Sequence, residues 1–130
     1  MFTLTKDFRF EAAHQLIGHD GKCARLHGHS WVLRVAFEGK DGELLPVGPK
    51  AEMLVDYGDI GIAVRELVNN HLDHFHLNET LGTSRPTSEF VARWVWLMLM
   101  NKVLSPRLQA MLKWVEVEET CTTSCRYSGR

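Results

Sequence analysis

A chain of 130 residues, 45% hydrophobic and 24% charged, reads as one ordinary globular domain over residues 1–130, with material for a core but little depth for an enclosed site. Fifteen Lys and Arg against sixteen Asp and Glu leave a formal charge of −1, and without a polybasic run this argues against nucleic acid and anionic lipid as partners. The apolar run from Trp94 to Met100 is too short to span a bilayer and MFTLTKDF carries no leader pattern, so a cytoplasmic location is expected; three cysteines, an odd number, fit ligands, nucleophiles or core residues better than a disulfide framework.

Alternation begins at Phe8, placing Phe8, Phe10, Ala12 and His14 on one face of a strand and Arg9, Glu11 and Ala13 on the other. A second strand is expected from about Gly28 to Glu38, with His29, Trp31, Leu33, Val35 and Phe37 on one face. The 12 residues between them, Gln15 to Leu26, exceed what a hairpin needs, and loops of that length are usually functional or disordered. Lys40 to Lys50 carries Asp41-Gly42, Pro46 and Gly48-Pro49 and reads as an exposed loop. Asp56 is placed to cap a helix running to about Leu72, whose stripe is Ile60, Ala63, Val64, Leu67, Val68 and His71. A polar, histidine-rich segment leads to Pro86. A second helix is expected from about Thr87 to Leu104, with Glu89 in its first turn and Ser105-Pro106 as its stop. Its WVWLMLM half is apolar all round, which in a small domain points one side at a partner subunit. Lys113 to Thr120 alternates as a strand, and Ser124 to Ser128 reads as a short fourth. The β-β-α-α-β-β order is an α+β pattern, an antiparallel sheet with two helices on one face.

His14 ends the first strand, and His27 and His29 begin the second. Antiparallel pairing brings those ends together, and the two-residue spacing puts His27 and His29 on one face. Three converging imidazoles with no fourth protein ligand would form the open site of a catalytic zinc; the competing reading is three separately hydrogen-bonded histidines. Cys23 lies between these ligands, flanked by Lys22 and Arg25, whose charges favour the thiolate that a base or nucleophile needs. A fourth zinc ligand fits the Cys-x3-His spacing equally well, and an inert loop thiol is the third reading. Asp73-His74 sets a carboxylate beside an imidazole, as in an acid/base pair, although such neighbours also arise by chance. His71 reads as a core histidine, and His76 and His19 as surface residues. Val115, Val117 and Glu119 share a strand face, so Glu119 follows an apolar face inward, where a ligand with N–H donors would satisfy it unless the strand end frays into water. Cys121 and Cys125 read as free thiols, Trp94, Trp96 and Trp114 as core or interface, and Trp31 as pocket wall.

Taken together, FEAAH (10–14), CARLHGHS (23–30), LDHFHLN (72–78), PTSE (86–89) and EETCTTSC (118–125) resemble the 6-pyruvoyl-tetrahydropterin synthase family from end to end of the chain. The short Cys23-to-His27 segment and the CTTSC string after Glu119 are similar to the branch that forms 6-carboxy-5,6,7,8-tetrahydropterin in 7-deazapurine (queuosine) biosynthesis. The resemblance implies the tunnelling fold (T-fold), in which subunits join their sheets into a barrel, commonly as a hexamer of two trimers with active sites between subunits. It implies a zinc held by His14, His27 and His29, with Cys23 as the catalytic thiol rather than a fourth ligand. It makes Asp73 and His74 the acid/base pair and Glu119 the carboxylate that anchors the pterin through its N–H edge. Thr87 is a further expected pterin contact, and Lys22 and Arg25 are candidates for the triphosphate. The implied lyase reaction converts 7,8-dihydroneopterin triphosphate and water to 6-carboxy-5,6,7,8-tetrahydropterin, acetaldehyde and triphosphate, with zinc orienting the side-chain hydroxyls and no redox cofactor required. Two alternatives stand beside it: the same fold making the pyruvoyl product without carbon–carbon cleavage, and a non-catalytic zinc-stabilised interaction module that uses Cys23 with the histidines.

Overall fold

The computed structural model describes residues 1–129. Its long hairpin pairs β1 (Phe2–His14) with β2 (His27–Gly39) in a continuous antiparallel register from Phe2↔Gly39 to His14↔His27. β1 starts six residues ahead of Phe8 because Leu4 and Lys6 keep the inward parity. Lys6 hides that continuation in the sequence: its Nζ lies 5.9 Å over the Phe8 ring while its stem covers apolar surface.

Helix α1 (Tyr57–His71) starts where Asp56 accepts from the Gly58 N–H at 2.7 Å and buries Ile60, Val64, Leu67 and Val68. The histidine-rich segment is not plain loop, for it holds β3 (Phe75–His76) and the single-turn α2 (Leu77–Thr80). β3 runs parallel to β1 at Ala12 and Ala13, so the sheet is mixed at that edge rather than antiparallel throughout. Two residues are too few for any periodicity to announce them. Helix α3 (Ser88–Met98) is capped by the Thr87 hydroxyl, which accepts from Phe90 N–H at 3.1 Å, and continues as a wider π-type turn over Leu99–Val103. Ser105 then both stops this helix and caps a further one, α4 (Pro106–Met111). β4 (Leu112–Thr120) pairs with β2, and β5 (Thr123–Tyr127) with β4, giving the order β3-β1-β2-β4-β5.

The core lies between one sheet face and the helices. Phe8, Phe10, Trp31, Leu33, Val35, Phe37, Val115 and Val117 meet Val64, Val68, Val91, Val95 and Leu99, all buried, each large side chain adding roughly 1.5–3 kcal/mol of transfer free energy. Trp31 stacks on Phe10 with ring centres 5.7 Å apart and donates its indole N–H to the Ala12 carbonyl at 3.1 Å. That anchors the functional end of the hairpin to the core. The sequence's apolar half-helix is largely consumed within the chain, since Val95, Trp96 and Leu99 are buried and Leu97 is left 48% exposed. The opposite sheet face is ionic. Arg34 bridges Asp7, Glu116 and Glu118, and Arg126 holds Glu116 from the other side while lying 3.7 Å over the Trp114 ring. Among the described residues no helix is long and apolar enough to cross a membrane.

Candidate active site

The β1–β2 register sets His14 opposite His27, and His29 opposite Ala12, on the core side of the sheet. One ring nitrogen of each histidine lies within 4.8 Å of the others. The His14 Nδ1–H donates to the Pro86 carbonyl at 2.8 Å, and the His27 Nδ1–H to the Arg25 carbonyl at 2.7 Å. A carbonyl can only accept, so Nδ1 carries a proton in both rings, and in the neutral tautomer this leaves the Nε2 lone pair for a ligand. The Nε2 atoms of His14 and His29 are buried without a hydrogen-bond partner, a costly arrangement unless a ligand completes it. Burial holds His29 below the ordinary imidazole range, and the charges of His14 and His27 add to this against the opposing pull of Glu119. A neutral ring is the form that ligates. These donors fit a divalent metal on their own chemistry, without a fourth protein ligand.

Glu119 turns inward as strand parity predicts, and its target is the histidine cluster. Its Oε1 lies 3.1 Å from His14 Nε2 and 3.6 Å from His29 Nε2. The contact with His14 and the charges of His14, His29 and His27 hold its carboxyl below the usual range, against burial, which raises it.

Cys23 sits half-buried in a short 3-10 turn, Lys22–Ala24. The long loop is ordered rather than loose: Leu16 N–H donates to the Cys23 carbonyl at 2.8 Å, and Arg85 Nη1 to the Ile17 carbonyl at 2.7 Å. Asn78, from α2, clasps Gln15 by accepting from its N–H at 2.9 Å and donating to its carbonyl at 2.8 Å. Lys22, Cys23 and Arg25 line a cavity of about 420 Å³ together with His27, Gly28 and His29. Among the described residues neither Lys22 nor Arg25 has a carboxylate partner. Cys121 and Cys125 are free thiols, as expected.

Asp73 and His74 form a fixed pair at the end of α1. His74 takes a left-handed backbone conformation, φ 64°, uncommon for a non-glycine residue. It is held there by its N–H donating to the Glu11 carbonyl at 2.5 Å. Asp73 Oδ1 accepts from Glu11 N–H at 2.9 Å and faces His74 Nδ1 at 3.0 Å. The Glu11 N–H is the main cause that keeps the Asp73 carboxyl below its ordinary range, with the His74 ring adding to it and burial opposing. The His74 ring is 78% exposed and lines a cavity of about 510 Å³ with Glu11, Gly28, His29, Ser30 and His76. His76 is therefore half-buried in a cavity wall rather than a surface residue, and His19 is also half-buried, its Nδ1 accepting from Gly21 N–H at 2.9 Å. His71 packs edge-on against Trp94 at 5.5 Å, but it is half-buried at the rim of the core rather than within it.

Cys23 and His74 thus open onto different cavities, and Gly28 and His29 line both. Thr87 is not brought to either wall; its hydroxyl oxygen caps α3. Three site features escaped the sequence reading: the Pro86 carbonyl, the Glu11 backbone and the Asn78 clasp. Only Asn78 had a signal, its place in the LDHFHLN string.

Compared with known proteins, residues 3–130 match the family model described as 6-pyruvoyl tetrahydropterin synthase. A Synechocystis protein named 6-carboxy-5,6,7,8-tetrahydropterin synthase is 44% identical over 98% of this chain and 93% of its own length. A Haemophilus influenzae protein of the same name is 30% identical over 98% of this chain and 99% of its own. Among solved structures, Caenorhabditis elegans 6-pyruvoyl tetrahydropterin synthase superposes with a TM-score of 0.80 at 28% identity, covering 99% of this chain and 96% of that one. The fold, its register and these near full-length matches agree, and the chain belongs to the 6-pyruvoyl tetrahydropterin synthase family.

Proposed function

We propose that the chain is a zinc-dependent 6-carboxy-5,6,7,8-tetrahydropterin synthase, a lyase that converts 7,8-dihydroneopterin triphosphate and water to the carboxy product, acetaldehyde and triphosphate, serving 7-deazapurine (queuosine) biosynthesis in the cytoplasm. The observation that carries the reading is an open three-histidine donor set, with a thiol on one side and a carboxylate-held imidazole on the other, in a chain whose near full-length relatives bear that name. His14, His27 and His29 would hold the zinc, whose positive charge would orient and acidify the substrate's side-chain hydroxyls.

The remaining chemistry belongs to the chain. Cys23 Sγ takes and returns a proton on the substrate side chain from within the cavity that His27 and His29 also line. Asp73 accepts from His74 Nδ1, which leaves His74 Nε2 as the atom that exchanges a proton with substrate. Glu119 receives the N–H edge of the pterin ring, a donor pair matched to a carboxylate. Lys22 and Arg25 hold the triphosphate, since neither charge has a carboxylate partner among the described residues. The Thr87 oxygen is used as a helix cap, but its O–H proton remains available to a pterin acceptor.

A pocket completed between subunits follows from the same layout. Cys23 and His74 of one chain line different cavities that meet at Gly28 and His29, which supports a second copy supplying one of them. Among the described residues, β1 from Phe2 to Glu11 pairs only with β2 and β5 only with β4, leaving one open edge on each, which supports sheet-to-sheet joining into a barrel and a hexamer of two trimers. The test is Cys23→Ala: as an enzyme the variant keeps zinc and assembly and loses turnover. Loss of zinc from that variant would instead mark a zinc-stabilised interaction module.

A further inference from the structure

We infer that Glu119 has a second role, as an exchangeable fourth ligand of the metal: its carboxylate closes the open metal position in the substrate-free protein and leaves it when the pterin N–H edge arrives. The inference rests on the metal and pterin assignments proposed above, and it starts from the geometry. His14 Nε2 and His29 Nε2 are buried, and one carboxylate oxygen of Glu119 stands beside both, at 3.1 and 3.6 Å. A metal ion held by the histidines would lie within reach of that oxygen.

Donor atoms about 2.0–2.1 Å from a tetrahedral zinc stand about 3.3 Å from one another, and the Glu119 distances to His14 and His29 straddle that value; a small shift of the carboxylate toward His27 would complete the set. Glu119 is also built to move. It falls where the β4–β5 register shifts between Glu118 and Thr120, so no cross-strand pair locks it, and bulges commonly re-aim a side chain beside a site. Its side chain remains 27% exposed, leaving room to swing outward.

The experiment measures zinc affinity of the full-length protein by competition with a chromogenic chelator, for wild type and Glu119→Gln, with and without unsubstituted pterin. That probe keeps the N–H edge and lacks the side-chain hydroxyls that could replace the carboxylate on the metal. Without pterin, Glu119→Gln should bind zinc about 10- to 100-fold more weakly, the range typical when a metal site loses a supporting partner. Pterin should weaken zinc binding severalfold in wild type and leave Glu119→Gln unmoved. Equal zinc affinities in the two proteins overturn the inference and leave the pterin-anchoring role standing. Weaker zinc in the variant with no pterin effect in wild type, while pterin fluorescence reports binding, makes Glu119 a fixed ligand and overturns the exchange. Absence of pterin binding to wild type overturns the pterin reading and the exchange with it. Should Glu119→Gln fail to fold, Glu119→Asp keeps the charge but draws it back by one methylene, and an affinity equal to wild type there overturns the inference.

Discussion

Replacing Asn78 by alanine removes one side chain that ties the end of β1 to the segment approaching Pro86. Its Oδ1 accepts from Gln15 N–H at 2.9 Å, and its Nδ2 donates to the carbonyls of Gln15 at 2.8 Å and Ser84 at 3.3 Å. Gln15 follows His14, and Pro86 supplies the carbonyl that orients the His14 ring, so the clasp reaches both sides of one proposed ligand. Two good, partly buried hydrogen bonds at about 1 kcal/mol each and a longer one worth less give a loss of about 2–3 kcal/mol. With an unfolding entropy of about 0.27 kcal/mol/K for 130 residues, the midpoint should fall by about 7–11 °C. Melting followed by circular dichroism on metal-free protein avoids masking by zinc, and chelator competition on the same samples should show weaker zinc binding. Asn78→Asp keeps the acceptor for Gln15 N–H but sets a carboxylate against two carbonyls, so it should do no better than alanine. A midpoint within about 2 °C of wild type with unchanged zinc affinity would refute the clasp as a support of the site.

Other consequences can be checked independently. Asp73→Asn should lower turnover about 100-fold through loss of the acceptor that fixes His74, within the usual range for acid–base catalysis, with zinc content unchanged. Because Asp73 is held below its ordinary range, its stabilisation is complete above the unfolded carboxyl value near pH 4 and is lost as pH falls through the folded value; urea midpoints of metal-free Asp73→Asn should lack that acid-side slope. Zinc should be lost on acidification, more steeply than one proton allows, because protons compete for three imidazoles, while the lowered His29 keeps its ring available to lower pH; dialysis and metal analysis against pH read this directly, and a one-proton slope would contradict it. Arg34→Met strands Glu116, which is only 9% exposed, with Arg126 alone, and should cost about 1–3 kcal/mol by urea unfolding, more than the exposed Asp7→Asn.

What the sequence made legible is what has a period or a cap. The two-residue alternation of β1 and β2 put His14, His27 and His29 on one face, and Asp56 and Thr87 marked the two helix starts where they occur. Lys6 on the inward parity concealed the first half of β1. β3, α2 and α4 are shorter than any pattern that could reveal them, and β3 is what carries His76 into a cavity wall. The Pro86 carbonyl and the Glu11 N–H that orient His14 and Asp73 are backbone groups, whose positions residue identity does not record. Glu119's inward parity was legible, but its target was not, because the approach of β4's end to His14 and His29 is set by tertiary packing. Thr87 shows a residue with two readings, a pterin contact from its place in the PTSE string and a helix cap through its oxygen. That Cys23 and His74 line different cavities, joined at Gly28 and His29, is a property of three-dimensional packing that residue order does not record.

The most direct test is product analysis of the zinc-loaded protein with 7,8-dihydroneopterin triphosphate. Acetaldehyde and 6-carboxy-5,6,7,8-tetrahydropterin should form in equal amounts, and metal-free protein should form neither. Triphosphate release with a 6-pyruvoyl product and no acetaldehyde, or no turnover by fully loaded protein, would contradict the account.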